Sequence, residues 1–265
     1  MKLHYSDEEI KMTAASKIAL VTGGSRGLGR NMALRLAQAG KDVILTYVSK
    51  KEQALEVAAE IEKLGKKAAA LPLDVGNIAQ HGEFAERVRK TLADKCGQDG
   101  FDVLVNNAGI GATIPFEQAT EDDFDRFANI HFKGVYFLTQ KLLPLLRDNG
   151  RVINISSGTT RFCIPGYSIY ASMKGAVETL TKYLAKELSP RGITVNVLAP
   201  GAIETDFNNA AVRSNPQLNA FIASQTALGR VGQADDIGSI VAFLASEDSH
   251  WITGQRIEAS GGMFL

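Results

Sequence analysis

Short apolar runs alternate with amphipathic stretches along nearly the whole chain. Residues 17–22, KIALVT, form the first run and predict a strand. It enters a glycine-rich turn, TGGSRGLG at 22–29. A helix follows with Met32, Ala33, Leu36 and Ala37 on one face and Gly40 as its stop. Residues 42–48, DVILTYV, predict a second strand, and Ala54, Leu55, Ala58, Ile61 and Leu64 space out a second helix ending at Gly65. A third strand at 68–73 closes on Asp74-Val75, and a helix covers 78–95. A fourth strand at 101–105 runs into NNAG, 106–109. The pattern then predicts one long helix over 121–146, with Phe124, Phe127, Phe132, Val135, Leu138 and Leu142 as its apolar positions and Pro144 straining its end. The β-branched residues of 151–155 predict a fifth strand, followed by a helix to about Leu188 that Pro190-Arg191-Gly192 breaks. Strands at 194–199 and 254–258 frame an irregular stretch, 205–228, and a clear helix at 234–245. The last residues, Met263-Phe264-Leu265, are apolar and are expected to be buried, against another subunit.

Strand and helix alternating at every step predict an α/β fold: a doubly wound parallel sheet of Rossmann-like type, three layers deep. A single domain is expected over 17–265. Residues 1–16 read as a polar, flexible arm without the apolar core of a secretory signal, and Met12 is an alternative start. The stretch 205–228 mixes Asn208, Asn209, Asn215 and Pro216 with Phe207, Val212, Phe221 and Ile222. It reads either as a lid or as a plain surface helix pair. In parallel sheets ligands bind beyond the carboxyl ends of the strands. The glycine turn, Asp74, NNAG, Ser157 and PGAIET (200–205) all fall at such ends.

Composition narrows the functional classes. The 265 residues carry 29 basic and 29 acidic side chains, so no excess positive charge points to nucleic acid or an anionic membrane. Hydrophobic content of 45% is ordinary, and no apolar run nears the ~20 residues of a membrane span. The two cysteines, Cys96 and Cys163, fit no metal spacing and suit a reducing, cytoplasmic setting.

Candidate chemistry sits in three places. Tyr170 and Lys174 are four residues apart on a helix, so hydroxyl and ammonium serve one point in space. A phenol titrates near 10, and a neighbouring positive charge is expected to lower that value. Ser157, at the end of the fifth strand, can reach the same substrate oxygen. A surface helix produces a Tyr-x-x-x-Lys pair by chance, so the pair alone is weak. Tyr167 lacks a lysine partner and is set aside. In the glycine turn, Gly23 permits a turn that a Cβ would obstruct, and Gly27 and Gly29 let a pyrophosphate approach the helix N-terminus. The second strand ends in Thr46, Tyr47, Val48 and Ser49 without an acid to bind a ribose 2′-hydroxyl. Arg26 with Ser49 therefore favours the 2′-phosphate of NADP(H); Lys50 and Lys51 read as a solvated helix start.

The set TGGSRGLG, Asp74-Val75, NNAG, Ser157, YASMK and PGAIET, in this order and spacing, resembles the short-chain dehydrogenase/reductases. Within that family it looks most like NADPH-dependent 3-oxoacyl-acyl-carrier-protein reductases and glucose-dehydrogenase-like enzymes. The resemblance implies that Tyr170 is the general acid in reduction and the base in oxidation. It implies that Lys174 tunes Tyr170 and bonds the nicotinamide ribose, and that Ser157 holds the carbonyl oxygen. It further implies a cofactor site of Gly23, Ser25, Arg26, Leu28, Gly29, Tyr47 and Ser49, with Asp74 and Val75 at adenine. Asn107, Ala108 and Gly109 would lie along the adenosine, and Pro200, Gly201, Ile203 and Thr205 along the nicotinamide. No metal is implied. In one place the chain departs from the family: His131 stands where an asparagine of the long helix usually helps a proton relay. A relay role through titration near neutral pH and a filler role both stay open. Asn129 is two residues out of register and expected on the wrong face.

The expected function is thus NADPH-dependent reduction of a ketone or 3-oxoacyl-type group, reversible as an alcohol dehydrogenase, by a homo-oligomer that the resemblance makes tetrameric. A non-catalytic dinucleotide sensor on the same fold is the alternative, and a reductase of carrier-protein-bound acyl groups another. The latter needs a basic rim, for which Arg126, Lys133 and Arg161 are candidates. Thr159, Arg161, Phe162, Cys163 and the 205–228 stretch are expected to line the substrate pocket, with Arg161 meeting an anionic group or solvent.

Overall fold

The computed structural model describes residues 16–265. The expected arm, and with it Met12, lies outside the described residues apart from Ser16. In chain order the elements are β1 (Ile18–Val21), α1 (Gly27–Gln38), β2 (Asp42–Tyr47), α2 (Lys51–Lys63), β3 (Ala68–Pro72), α3 (His81–Thr91) and β4 (Phe101–Asn106). They continue with α4 (Glu121–Ala128), α5 (Gly134–Leu142), β5 (Leu146–Ile155), α6 (Ser168–Glu187) and β6 (Thr194–Pro200). Last come α7 (Ala211–Ser214), α8 (Pro216–Ser224), α9 (Ala234–Leu244) and β7 (Arg256–Ala259).

All the strand pairs are parallel, in the order β3-β2-β1-β4-β5-β6-β7. The order reverses between β1 and β4, and that switch point opens the crevice in which the site lies. Side chains alternate across the sheet as the strand period demands. Ala19 and Val21 face a core shared with Met32, Leu36, Val57, Ile61, Ile237 and Val241. Ile18 and Leu20 face the other core, with Phe84, Val88, Leu138 and Leu142. Between β4, α5, β5 and α6 runs a buried polar chain. Asn106 donates to Thr139 Oγ1 at 3.0 Å and to Asn154 Oδ1 at 2.9 Å, and Asn154 donates to Thr181 Oγ1 at 2.9 Å. In a low-dielectric interior such a chain is costly to break, so it fixes the mutual position of the strands and helices that carry NNAG, Ser157 and Tyr170.

The long helix predicted over 121–146 is divided. Thr120 caps α4 through a capping box with Asp123, and after Ala128 one π-turn, Asn129–Lys133, intervenes before α5. The turn ends on Gly134, where a Cβ would lie 2.7 Å from the Asn129 carbonyl oxygen and overlap that of Val75, so glycine lets the helix pass the loop after β3. The stretch 205–228 is two short helices, α7 and α8, after a 3₁₀ turn at Phe207–Ala210. Asn208, Asn209 and Ala210 all have left-handed backbones, with φ of 50°, 57° and 59°. Of the apolar last residues, Met263 is buried, whereas Leu265 is exposed.

Candidate active site

A cavity of about 1210 Å³ lies along the carboxyl ends of the strands. Every candidate cofactor residue lines it: Gly23, Ser25, Arg26, Leu28, Gly29, Tyr47, Ser49, Asp74, Val75, Asn107, Ala108, Gly109, Pro200, Gly201, Ile203 and Thr205. So do Ser157, Tyr170, Lys174 and His131.

One end is built by the glycine turn. Gly23 and Gly27 have φ of +66° and +55°, conformations that other residues adopt with strain. Gly29 lines the cavity and is needed for packing as well. A Cβ there would overlap the Gly23 carbonyl oxygen and lie 2.5 Å from Asn107 Nδ2. Asn107 itself is tied to the turn: its Nδ2 donates to the carbonyls of Thr22 at 2.8 Å and Gly23 at 3.2 Å. Thr22 Oγ1 in return accepts from the amides of Asn107 and Ala108 at 2.9 and 3.0 Å. NNAG therefore acts as the brace of the turn as well as a wall of the cavity. Arg26 gives α1 no side-chain cap, so the first-turn amides stay uncapped where Gly27, Leu28 and Gly29 line the cavity. Past β2 the lining is Tyr47, Val48, Ser49 and Lys50, with no carboxylate among them. Arg26 is exposed, and its nearest acid is Asp206, 4.0 Å away. A dinucleotide carrying a 2′-phosphate fits these donors: a cradle without side chains, helix amides for the pyrophosphate and a guanidinium for the extra phosphate.

The other end holds the reacting groups. β5 delivers Ser157, whose Oγ accepts from Thr159 N at 3.2 Å and Thr159 Oγ1 at 3.0 Å. α6 delivers Tyr170 and Lys174 on one face. Lys174 is buried, and its Nζ donates to the Ile155 carbonyl at 2.7 Å and lies 5.7 Å from the Tyr170 ring centre. Burial lowers its pKa to about 8. The expected lowering of the tyrosine is not what the protein alone produces. The Tyr170 ring keeps surface on the cavity, yet the groups packed around it desolvate the phenol and push it up to about 12, while Ser157 pulls the other way. Tyr170 thus holds its proton firmly at neutral pH, which suits a proton donor.

His131 lies in the π-turn, fully buried, with its ring edge-on to Tyr170 at 5.2 Å and stacked on Phe127 at 5.4 Å. Nε2 lies 2.9 Å from the Ile110 carbonyl and 3.3 Å from the Ile110 amide, and Nδ1 is buried without a partner. Burial, reinforced by Lys174, pushes its pKa down to about 2. The expectation that His131 titrates near neutral pH is thereby corrected: it remains neutral and positions the Ile110 backbone. Asn129 is corrected too. The π-turn shifts the helical phase, and Asn129 lines the same cavity.

The protonation of His131 is testable. Its folded value lies below the ordinary 6.5, so as pH falls the unfolded chain takes up that proton first and stability drops from about pH 6.5 downward. His131→Asn is expected to lose about 2 kcal/mol less than the wild type between pH 7 and 5 in urea unfolding. The shape of its kcat/KM profile between pH 5 and 9 should match the wild type's. A limb lost from that profile would restore the relay.

Two contributors escaped the sequence reading. Tyr167, set aside there, lines the cavity 6.1 Å from the Tyr170 ring, and its hydroxyl accepts from Asn208 Nδ2 at 2.8 Å. Arg256 bonds Glu178 at 2.9 Å, Thr160 at 3.0 Å and the Ser157 carbonyl at 3.4 Å, so it underpins the serine loop. No local pattern signals either, because the partners are distant in sequence.

Residues 23–264 match the family described as enoyl-(acyl carrier protein) reductase. The chain is 39% identical over 259 residues to the 3-oxoacyl-[acyl-carrier-protein] reductase FabG of Staphylococcus aureus, covering 97% of this chain and all of that one. Among solved structures it is similar to LugOII, a promiscuous reductase that catalyses keto-reduction at C1 during lugdunomycin biosynthesis. There the TM-score is 0.90, with 39% identity over 95% of this chain and 99% of that one. It is also similar to the angucycline C-6 ketoreductase LanV with bound NADP, with a TM-score of 0.89 and 38% identity over 95% of this chain and 97% of that one.

Proposed function

Because the chain belongs to the short-chain dehydrogenase/reductase family, we propose that it reduces a bulky, largely apolar ketone with NADPH, using Tyr170 as proton donor. It is an NAD(P)-dependent oxidoreductase, and its cofactor is NADP(H). The observation that carries the finer reading is the convergence of Ser157, Tyr170 and Lys174 at one end of a cavity whose other end offers a 2′-phosphate site.

Bound NADPH supplies the hydride for the carbonyl carbon. Arg26 and Ser49 would hold its 2′-phosphate, Ser25, Leu28 and Gly29 its pyrophosphate, and Asp74 and Val75 its adenine. Tyr47, Asn107, Ala108 and Gly109 would line the adenosine, and Pro200, Gly201, Ile203 and Thr205 the nicotinamide end. Ser157 donates a hydrogen bond to the substrate oxygen, orienting it toward Tyr170. As negative charge develops on that oxygen, the Tyr170 hydroxyl transfers its proton. Lys174 stabilises the phenolate left behind, and a value of about 8 lets it release and regain a proton near working pH.

Phe162, Tyr167, Phe207, Phe221, Ile222 and Phe264 line the substrate end, which favours an aromatic ring. The similarity to LugOII and LanV supports the same reading. A carrier-protein acyl substrate is favoured less, because Arg161, one of its three candidate basic residues, is engaged by Glu258. Exposed Tyr183 on α6 and Trp251 support a homo-oligomer. Among the described residues no helix is long and apolar enough to cross a membrane.

The test is cofactor binding followed by a ketone panel. Arg26→Ala should weaken NADP⁺ binding about 10- to 100-fold in calorimetry, the loss of charge-assisted contacts to a phosphate, and leave NAD⁺ within about twofold. Equal weakening of both would remove the 2′-phosphate from Arg26.

A further inference from the structure

Arg161 is expected to line the pocket and meet an anionic group or solvent; it stays solvent-exposed outside the cavity lining, and its guanidinium is engaged within the protein. Its Nε and Nη2 bond both carboxylate oxygens of Glu258, at 2.8 and 2.6 Å. The same guanidinium donates to the carbonyls of Met263 at 2.6 Å and Phe264 at 3.2 Å. It thus joins the loop after Ser157 to the segment that follows β7. Glu258 is held from two further sides, by Arg256 at 3.0 Å and Ser260 at 2.6 Å. A fork-to-fork pair with two added carbonyl acceptors is directional as well as strong.

The clamped segment forms one wall of the cavity. Met263 and Phe264 line it together with Phe162 and Cys163. The Phe264 ring sits 5.1 Å from Phe162, and the Arg161 guanidinium lies 5.3 Å from the Phe162 ring centre. Phe264 holds a left-handed backbone, φ 53°, which costs energy in a phenylalanine and persists only when its neighbours enforce it. The segment also holds the far end of the α8 region. Phe264 N donates to Gln225 O at 2.9 Å, Ala227 N to Gly262 O at 3.2 Å and Leu228 N to Gly261 O at 3.1 Å. Buried Met263 shares a small core with Ile222 and Val231.

We propose that Arg161 is a specificity-determining positioning residue: by clamping the segment after β7 it fixes Phe264 against Phe162 as an aromatic wall, and so favours fused-ring ketones over small aliphatic ones. This rests on the ketoreductase reading above. Arg161 does not touch the reacting atoms; it acts through the wall.

The experiment uses the whole chain, wild type, Arg161→Met and Phe264→Ala, with 2-tetralone and 2,3-butanedione as substrates. Binding of 2-naphthol to the protein saturated with NADP⁺, and of NADP⁺ itself, is measured by calorimetry. Both variants should raise the KM for 2-tetralone and the Kd for 2-naphthol about tenfold, the scale of one lost aromatic contact. Their kcat, the KM for butanedione and the Kd for NADP⁺ should stay within about twofold. Parallel changes for both ketones, or none, would overturn the proposal. If Arg161→Met does not fold, Arg161→Lys, which keeps the charge but cannot make the two-pronged pair with Glu258, takes its place and must shift the same constants. Naphthol binding without turnover of any ketone by the wild type would remove the reductase reading and leave the wall to be judged by the Kd ratios. A wild type that does not bind naphthol overturns the wall itself.

Discussion

Tyr170→Phe is expected to lower kcat/KM for ketone reduction by about 10³-fold while leaving NADP⁺ affinity within about twofold. The change deletes one hydroxyl and keeps the ring. The ring's surroundings do not depend on the oxygen: Phe207, His131, Tyr167 and Phe127 lie at 6.0, 5.2, 6.1 and 6.5 Å from it. The site should therefore keep its shape and lose its proton source. No neighbour can take over. His131 is neutral down to about pH 2, and its Nε2 is turned to the Ile110 backbone. Lys174 faces the Ile155 carbonyl. Ser157 remains to polarise the carbonyl, which accounts for the residual rate. Steady-state kinetics with a single ketone at saturating NADPH checks this. A drop of less than about tenfold would mean that the proton comes from water or another group.

Gly29→Ala is the second large effect. Its Cβ would overlap the Gly23 carbonyl oxygen and press on Asn107 Nδ2 at 2.5 Å. Neither neighbour yields cheaply. Gly23 N donates to Thr46 Oγ1 at 3.1 Å, and Asn107 is anchored through Thr22. Relief requires moving the glycine turn off NNAG. Overpacking of this kind costs about 3 kcal/mol, equivalent to roughly 6–12 °C in Tm for a domain of this size. Because the displaced turn is the phosphate cradle, NADP⁺ affinity should fall by at least about 100-fold. Differential scanning fluorimetry with and without NADP⁺ reads both. A variant whose Tm still rises normally with NADP⁺ would show that the turn tolerates the methyl group.

What was legible in the sequence was local. Each strand announces itself in five to seven residues, and the turn that follows is written directly after it, so Gly23, Asp74, Asn107, Ser157 and Pro200 fall at strand ends without any knowledge of tertiary contacts. The i, i+4 relation of Tyr170 and Lys174 is local as well. What escaped depends on distance or burial. A five-residue π-turn is too short to leave a period of its own, so the helix read as continuous and Asn129 was assigned to the wrong face. The Arg161–Glu258 pair spans 97 residues. The direction of the Tyr170 and His131 pKa values follows from desolvation, which no linear pattern displays.

The switch in strand order has a consequence for how the protein comes off the ribosome. β1 lies between β2 and β4, and its partner in β4 begins more than 80 residues downstream. A nascent chain can pair β1, β2 and β3 early, but the glycine turn lacks its brace until Asn107 has emerged and swung back to Thr22. Ser157 and Tyr170 come later, and the aromatic wall waits for Phe264. Synthesis from the amino end thus lays down the nucleotide half first, the reacting groups second and the substrate wall last. Premature chains that stop before Glu258 would lack the acceptor that holds the Arg161 loop in place.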